Sequence, residues 1–244
     1  MGDMEPTTSY GKLLDSKFFL YGLIIAGASF WGVSFFATTI ALKYLEPMQI
    51  LAARWLIAMM IFLCLVFFKI IKVNFKKGYK KILIVAGLFQ PCLYSIFETN
   101  GINMTTTSES SIFISTVPIF VLIIGSIVLK TRPSKTIIFA ILLAFIGLAF
   151  CMLFSPNFSV GGKIWGYIVL FGAILVGASY THISNEVQKN YTTMELTFTI
   201  AMMGGIFFNS INFLMGYGVD TYVECFSNST LLIAIVFLGA LCSC

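Results

Sequence analysis

Apolar stretches of about twenty residues follow one another along this chain from Phe18 onward, with only short polar breaks between them. A helix rises 1.5 Å per residue, so about twenty residues cross the ~30 Å hydrocarbon layer of a bilayer. The stretches fall at roughly 18–40, 47–68, 81–101, 109–129, 136–154, 164–184 and 195–216, and an eighth opens near Thr230 and runs to Cys244. Composition points the same way: of 244 residues, 59% are hydrophobic and 10% charged, and 25 Phe stand against one His. That balance excludes a soluble domain and predicts an all-α, multi-pass membrane protein. The first stretch is too long for a signal peptide and runs into Pro47 and a second stretch without a small-residue cleavage site, so it is expected to remain as an anchor.

The net charge of +5 says less than where the charges lie. Lys12, Lys17, Lys69, Lys72, Lys76, Lys77, Lys80, Lys81, Lys130, Arg132, Lys135 and Lys189 share one side of the predicted membrane, leaving Lys43, Arg54 and Lys163 for the other. Basic loops stay in the cytoplasm, which places the N-terminal segment, residues 1–17, there. The six cysteines mostly fall inside spans without paired spacing, so no disulfide framework is expected. Cys242 and Cys244 lack His or Cys partners nearby and read as small apolar fillers; no metal and no cofactor are expected.

An internal similarity orders the spans. "GASFWGVSF" at 27–35 aligns with "GAILVGASY" at 172–180; Lys43, Met48 and Gln49 align with Lys189, Met194 and Glu195; "AGLFQPC" at 86–92 aligns with "LGALCSC" at 238–244. A duplicated unit with an odd number of crossings enters the membrane upside down in its second copy, giving an inverted repeat. Five spans per copy gives ten in all. The second copy then lacks counterparts of residues 93–155, about two helices, and a truncated chain is the expectation.

Two blocks resemble a known family. "WGVSFFATTIALKYLEPMQILAARWLIA", residues 31–58, has a Trp-Gly in the first span, a Pro after the first loop and an Arg early in the second span. "GINMTTTSESSIFISTVPIFVLIIGSIVLKTRPS", residues 101–134, opens the fourth span with small and hydroxyl residues, carries Pro118 within it and ends in a short basic turn. Both resemble the EamA-like family of the drug/metabolite transporter superfamily. The resemblance implies two inverted five-helix bundles, a first repeat at 18–155 and an incomplete second at 156–244, and movement of small metabolites or drugs across the cytoplasmic membrane.

Polar residues inside the spans are the candidate site. Gln90, Tyr94 and Glu98 are spaced by four and stack on one face of the third span. A charge facing lipid at mid-bilayer costs at least ~2.5–3.5 kcal/mol, so this face should meet protein or a water-filled cavity. Pro91 in the same stretch is expected to kink the helix and free a backbone carbonyl. One reading has Gln90 and Tyr94 hydrogen-bonding a solute while Glu98 attracts a cation or takes up a coupling proton. The other has Glu98 reaching interfacial water, Gln90 bonding a neighbouring helix and Tyr94 packing. In the first span Trp31 and Ser34 extend a second stripe between Gly27 and Thr38; Gly27 and Gly32 read as close-packing positions, and Trp31 as either cavity wall or core. His182, four residues before Glu186, could form a proton relay or be an ordinary polar residue near a helix end. Glu109, behind Ser108, reads as a helix-start carboxylate, and Arg54 as snorkelling to the interface.

The sequence carries no HExxH, no GxSxG, no paired carboxylates on one helix and no phosphate-binding glycine loop, which speaks against a membrane enzyme or an ATP-driven pump. A secondary transporter working by alternating access is therefore expected. Its partners would be a small solute and the bilayer, with a coupling proton as a candidate third and no nucleic acid; a non-transporting structural protein or inactive fragment is the rival reading.

Overall fold

A computed structural model describes residues 17–74, 80–128, 134–154 and 162–243. The N-terminal segment with Lys12, together with Lys76, Lys77, Lys130, Arg132 and Cys244, lies outside the described residues. Every predicted stretch is helical. α1 is Lys17–Ala41 and α2 Pro47–Phe67; α3 is built from Lys80–Gly87, a π-helical stretch Leu88–Tyr94 and Ser95–Met104. α4 comprises Thr107–Ser115 and Val117–Val128; α5 is Lys135–Leu153, α6 Ile164–Val187 and α7 Thr193–Leu214. α8, Asp220–Ser227, turns by 109° into α9, Ser229–Phe237, which ends in a second π-helical stretch, Leu238–Cys242. Among the described residues six helices are long and apolar enough to span a membrane, and seven if the bent α8–α9 pair is one span. The chain is an all-helical, multi-pass membrane protein. The eight expected spans each find a helix, the last of them bent at Asn228.

Helix ends follow local chemistry. α2 starts on Pro47, whose missing N–H costs nothing in a first turn, with a capping box between Glu46 and Gln49. α7 starts with the same device from Thr192 and Glu195, and α4 with Thr106 and Glu109. The cap of α4 is thus Thr106, not Ser108, because Glu109 sits three residues after Thr106 and bonds back to its N–H. α2 ends with Lys69 in the left-handed region at φ 56°, and the Ile70 N–H reaches the Leu65 carbonyl; α7 ends with Gly216 at φ 82°, and the Tyr217 N–H reaches Asn212.

Hydrogen bonds between distant segments tie like ends of the spans together. At one end the Thr39 and Thr107 hydroxyls meet at 2.7 Å, the Lys163 N–H donates to Met104 O, and Gln49 Nε2 donates to Thr221 Oγ1. At the other, the Asn74 N–H donates to Glu195 Oε1. The pattern is that of consecutive crossings in alternating directions.

The molecule is organised around α2 and α7, which pack face to face. Trp55, Ala58, Phe62, Ile200, Ala201 and Phe208 form this core with Leu83 and Ala86 of α3. Two further clusters flank it, α1 and α2 against α9, and α1, α3 and α4 against α6. Large apolar side chains on α5 and on the outer faces of α1 and α6 remain exposed in the monomer, as a lipid-facing surface requires. Close approach depends on Gly204 and Gly205, which face Trp55 and Met59, and on Gly239, which faces Ile57 and the Arg54 carbonyl. Gly27 and Gly32 are not packing positions: a Cβ there would meet no described atom within 4 Å, because that side of α1 has no neighbour among the described helices.

Candidate functional site

The π-helical stretch in α3 sets the site. Pro91 has no N–H to offer the Gly87 carbonyl, and widening the turn removes the clash that an α-helical ring would make there. Gln90, Tyr94 and Glu98 then fall on one wall. Glu98 is 6% exposed, and Tyr94 Oη donates to its Oε1 at 2.9 Å. The ring of Tyr94 lies against Gly177 of α6, where a Cβ would come within 3.0 Å. Ser95, one turn on, directs its hydroxyl toward the Gln90 carbonyl, 3.5 Å away.

This wall faces a cavity of about 170 Å³. α1 contributes Trp31 and Ser34, α2 Arg54 and Trp55, α3 Gln90, Tyr94, Ser95 and Glu98, α6 Tyr180, α7 Thr197 and Ile200, and the chain end Cys242 and Ser243. An adjoining recess of about 200 Å³ shares Trp31, Gln90, Tyr94 and Tyr180 and adds Val117, Gly177 and Thr181. Trp31 is 45% exposed, so it borders open space and is not core. The hydroxyl of Ser34 is turned back onto the Trp31 carbonyl at 2.6 Å.

Five of the six candidate residues therefore meet at one place, and His182 does not. Its Nε2 lies 2.9 Å from the Val121 carbonyl of α4, while Glu186 pairs with Lys189 at 2.5 Å on the exposed end of α6. Spacing of four put His182 and Glu186 on one face, but each is engaged elsewhere, so no relay forms. Glu109 likewise serves structure, accepting from the Thr106 N–H and from Tyr167 Oη at 2.7 Å.

The residue that sequence reasoning misplaced is Arg54. It does not snorkel: it is 7% exposed, and its Nε donates to Ser243 Oγ at 3.0 Å. Ser243 lies 189 positions away, so nothing local signalled this pairing. Arg54 and Glu98 line the same cavity but make no ion-pair contact. The cavity thus holds one cation, one anion, aromatic faces and a carboxamide, gathered from five helices and the turn at Cys242 and Ser243.

Residues 19–153 match the EamA-like transporter family, more than half of the chain. The chain belongs to that family. The EamA-like relatives include "Uncharacterized transporter YcxC" of Bacillus subtilis, 28% identical over 228 residues that make up 92% of this chain and 71% of that protein. An uncharacterized transporter of Archaeoglobus fulgidus is 27% identical over 179 residues, 73% of this chain and 62% of its own length. A crystal structure superposes with a TM-score of 0.60 over 88% of this chain and 71% of the other; at 15% identity that likeness concerns the fold alone. Family and relatives point to a transporter rather than an enzyme.

Proposed function

We propose that this EamA-like protein is a secondary carrier that moves small metabolites or drugs across the cell membrane by alternating access, its N-terminus in the cytoplasm. The observation that carries the proposal is the cavity itself, in which Gln90, Tyr94, Glu98, Trp31 and Ser34 converge with Arg54 from separate helices. A polar, partly open chamber enclosed by lipid-facing helices is what a solute path requires, and a scaffold has no use for one. The proposed division into repeats at 18–155 and 156–244 supplies the two bodies that would rock about it. Glu98 is proposed to take up the coupling proton, since it is the acidic residue among those lining the cavity.

The test is transport by the purified chain in proteoliposomes against a panel of labelled metabolites and cationic dyes, with and without an imposed pH gradient. At least one solute should equilibrate faster than in protein-free liposomes, and the gradient should accelerate it. Glu98→Gln keeps an acceptor for Tyr94 but cannot ionise; it should retain folding and lose the response to the gradient. Failure of a folded protein to move any solute refutes the carrier. A gradient response unchanged in Glu98→Gln removes the proton from that residue.

A further inference from the structure

Two neighbouring residues of the cavity wall, Arg54 and Trp55, carry side-chain donors with nothing to donate to. Arg54 uses its Nε on Ser243, and its two Nη groups have no partner among the described residues. The indole Nε1–H of Trp55, which is 2% exposed, has none either. The guanidinium carbon lies 5.8 Å from the Trp55 ring centroid, so the charge sits over the indole face and the two side chains are neighbours in the wall. A buried donor without a partner is rare in folded proteins, so the Trp55 indole N–H asks for a reason. Thr99 Oγ1 is also unpartnered, but Thr99 does not line the cavity, whereas Arg54 and Trp55 both do.

We propose that Arg54 and Trp55 anchor a carboxylate group of the transported solute, an inference that rests on the carrier reading of this cavity. A guanidinium fork matches the two oxygens of a carboxylate, forming parallel charge-assisted bonds, and the indole N–H supplies a third donor. Two features hold the patch in place. Ser243 Oγ, its own proton given to the Leu238 carbonyl at 2.9 Å, is a fixed acceptor for Nε. The indole rests on Gly204, where even a Cβ would come within 2.6 Å of Cδ2. The wall disfavours a phosphate dianion: it offers one guanidinium and also presents the Glu98 carboxylate, which repels a second negative charge.

Equilibrium binding of labelled benzoate to the purified full chain, in competition with benzamide and inorganic phosphate, tests this. The three probes separate a carboxylate from its neutral isostere and from a phosphate. Benzoate should bind at least tenfold more tightly than either competitor. Arg54→Gln should abolish that preference, and Arg54→Lys, which keeps the charge without the fork, should restore only part of it. Trp55→Phe keeps an aromatic ring on Gly204 and should weaken benzoate severalfold. Thermal melting of each variant confirms that it is folded. Equal affinity for benzoate and benzamide, tighter binding of phosphate, or wild-type benzoate affinity in folded Arg54→Gln and Trp55→Phe each overturns the assignment. Transport of neutral or cationic solutes without carboxylate preference would sink this inference and leave the carrier standing. Selective benzoate binding without movement of any solute would do the reverse.

Discussion

Gly204→Ala is the most informative single perturbation of this fold, because one methyl group would meet two rigid neighbours on two different helices. A Cβ at Gly204 comes to 2.6 Å from Trp55 Cδ2, 2.7 Å from Trp55 Cε3 and 2.9 Å from Pro91 Cβ. Carbon atoms prefer about 3.5–4.0 Å, so roughly 1 Å must open on the side of α2 while α3 is pressed as well. Neither neighbour yields easily: Trp55 is 2% exposed, and Pro91 is buried in the π-helical stretch of α3. Overpacking of this kind costs about 1–3 kcal/mol, roughly a 5- to 150-fold loss in the folding equilibrium. Two controls isolate the effect. Gly27→Ala adds the same methyl group where nothing lies within 4 Å and should be neutral, or stabilise by up to about 0.5–1 kcal/mol through helix propensity. At Gly87 the nearest atom is the flexible thioether end of Met203, which can swing away, so Gly87→Ala should cost less than Gly204→Ala. Unfolding in mixed micelles by added SDS, followed by far-ultraviolet circular dichroism, ranks the three. Should Gly204→Ala unfold together with Gly27→Ala, the tight contact of α7 with α2 and α3 is wrong.

Two further outcomes are expected in the same assay. Asn212 is fully buried, accepts from Thr221 Oγ1 at 3.1 Å and donates to the Gly218 carbonyl at 3.0 Å, so Asn212→Leu should destabilise by about 1–3 kcal/mol. Thr221 Oγ1 also accepts from Gln49 Nε2, so Thr221→Val alone should destabilise as well, and the double variant should cost less than the sum of the two; a purely additive double variant would count against the network. Lys69→Gly replaces a left-handed lysine with the residue that adopts φ 56° without strain, and should stabilise by about 1 kcal/mol; an earlier unfolding midpoint would contradict the turn geometry.

The spans were legible because apolar run length is a one-dimensional property, and the stripe of Gln90, Tyr94 and Glu98 because spacing by four survives on any helix. What lay between helices was not. Gly27 and Gly204 are the same residue in similar apolar surroundings, and only the neighbouring helix decides that one faces open space and the other an indole. Arg54 was misread because its anchor, Ser243, comes from the far end of the chain. His182 was open to a relay on its own helix until the position of α4 gave its ring the Val121 carbonyl. The cap at Thr106, by contrast, was readable: Thr-x-x-Glu stands in the sequence at 106–109 and signals a capping box without any structure.

The proposed repeat explains a coincidence that local chemistry alone does not. Both π-helical stretches overlap the matched segments 86–92 and 238–244, yet Leu238–Cys242 contains no proline, so Pro91 cannot be their common cause. Their partners are what they share. Gly87 on α3 faces Met203 of α7, and Gly239 on the last turn faces Ile57 of α2. Met203 follows Ile57 by 146 positions, as Met194 follows Met48, so under the proposed repeat the two contacts would be the same pair drawn from opposite copies. α2 and α7 also share a capping box at the start and a left-handed residue at the end, Lys69 in one and Gly216 in the other. Exchange of partners between copies is what an in-plane twofold axis produces: the third span of one half leans on the second span of the other. It also sets Gln90 and Cys242, matched in the alignment, on the wall of one chamber, which lies where the two halves would meet and where a rocking motion would open it to either side.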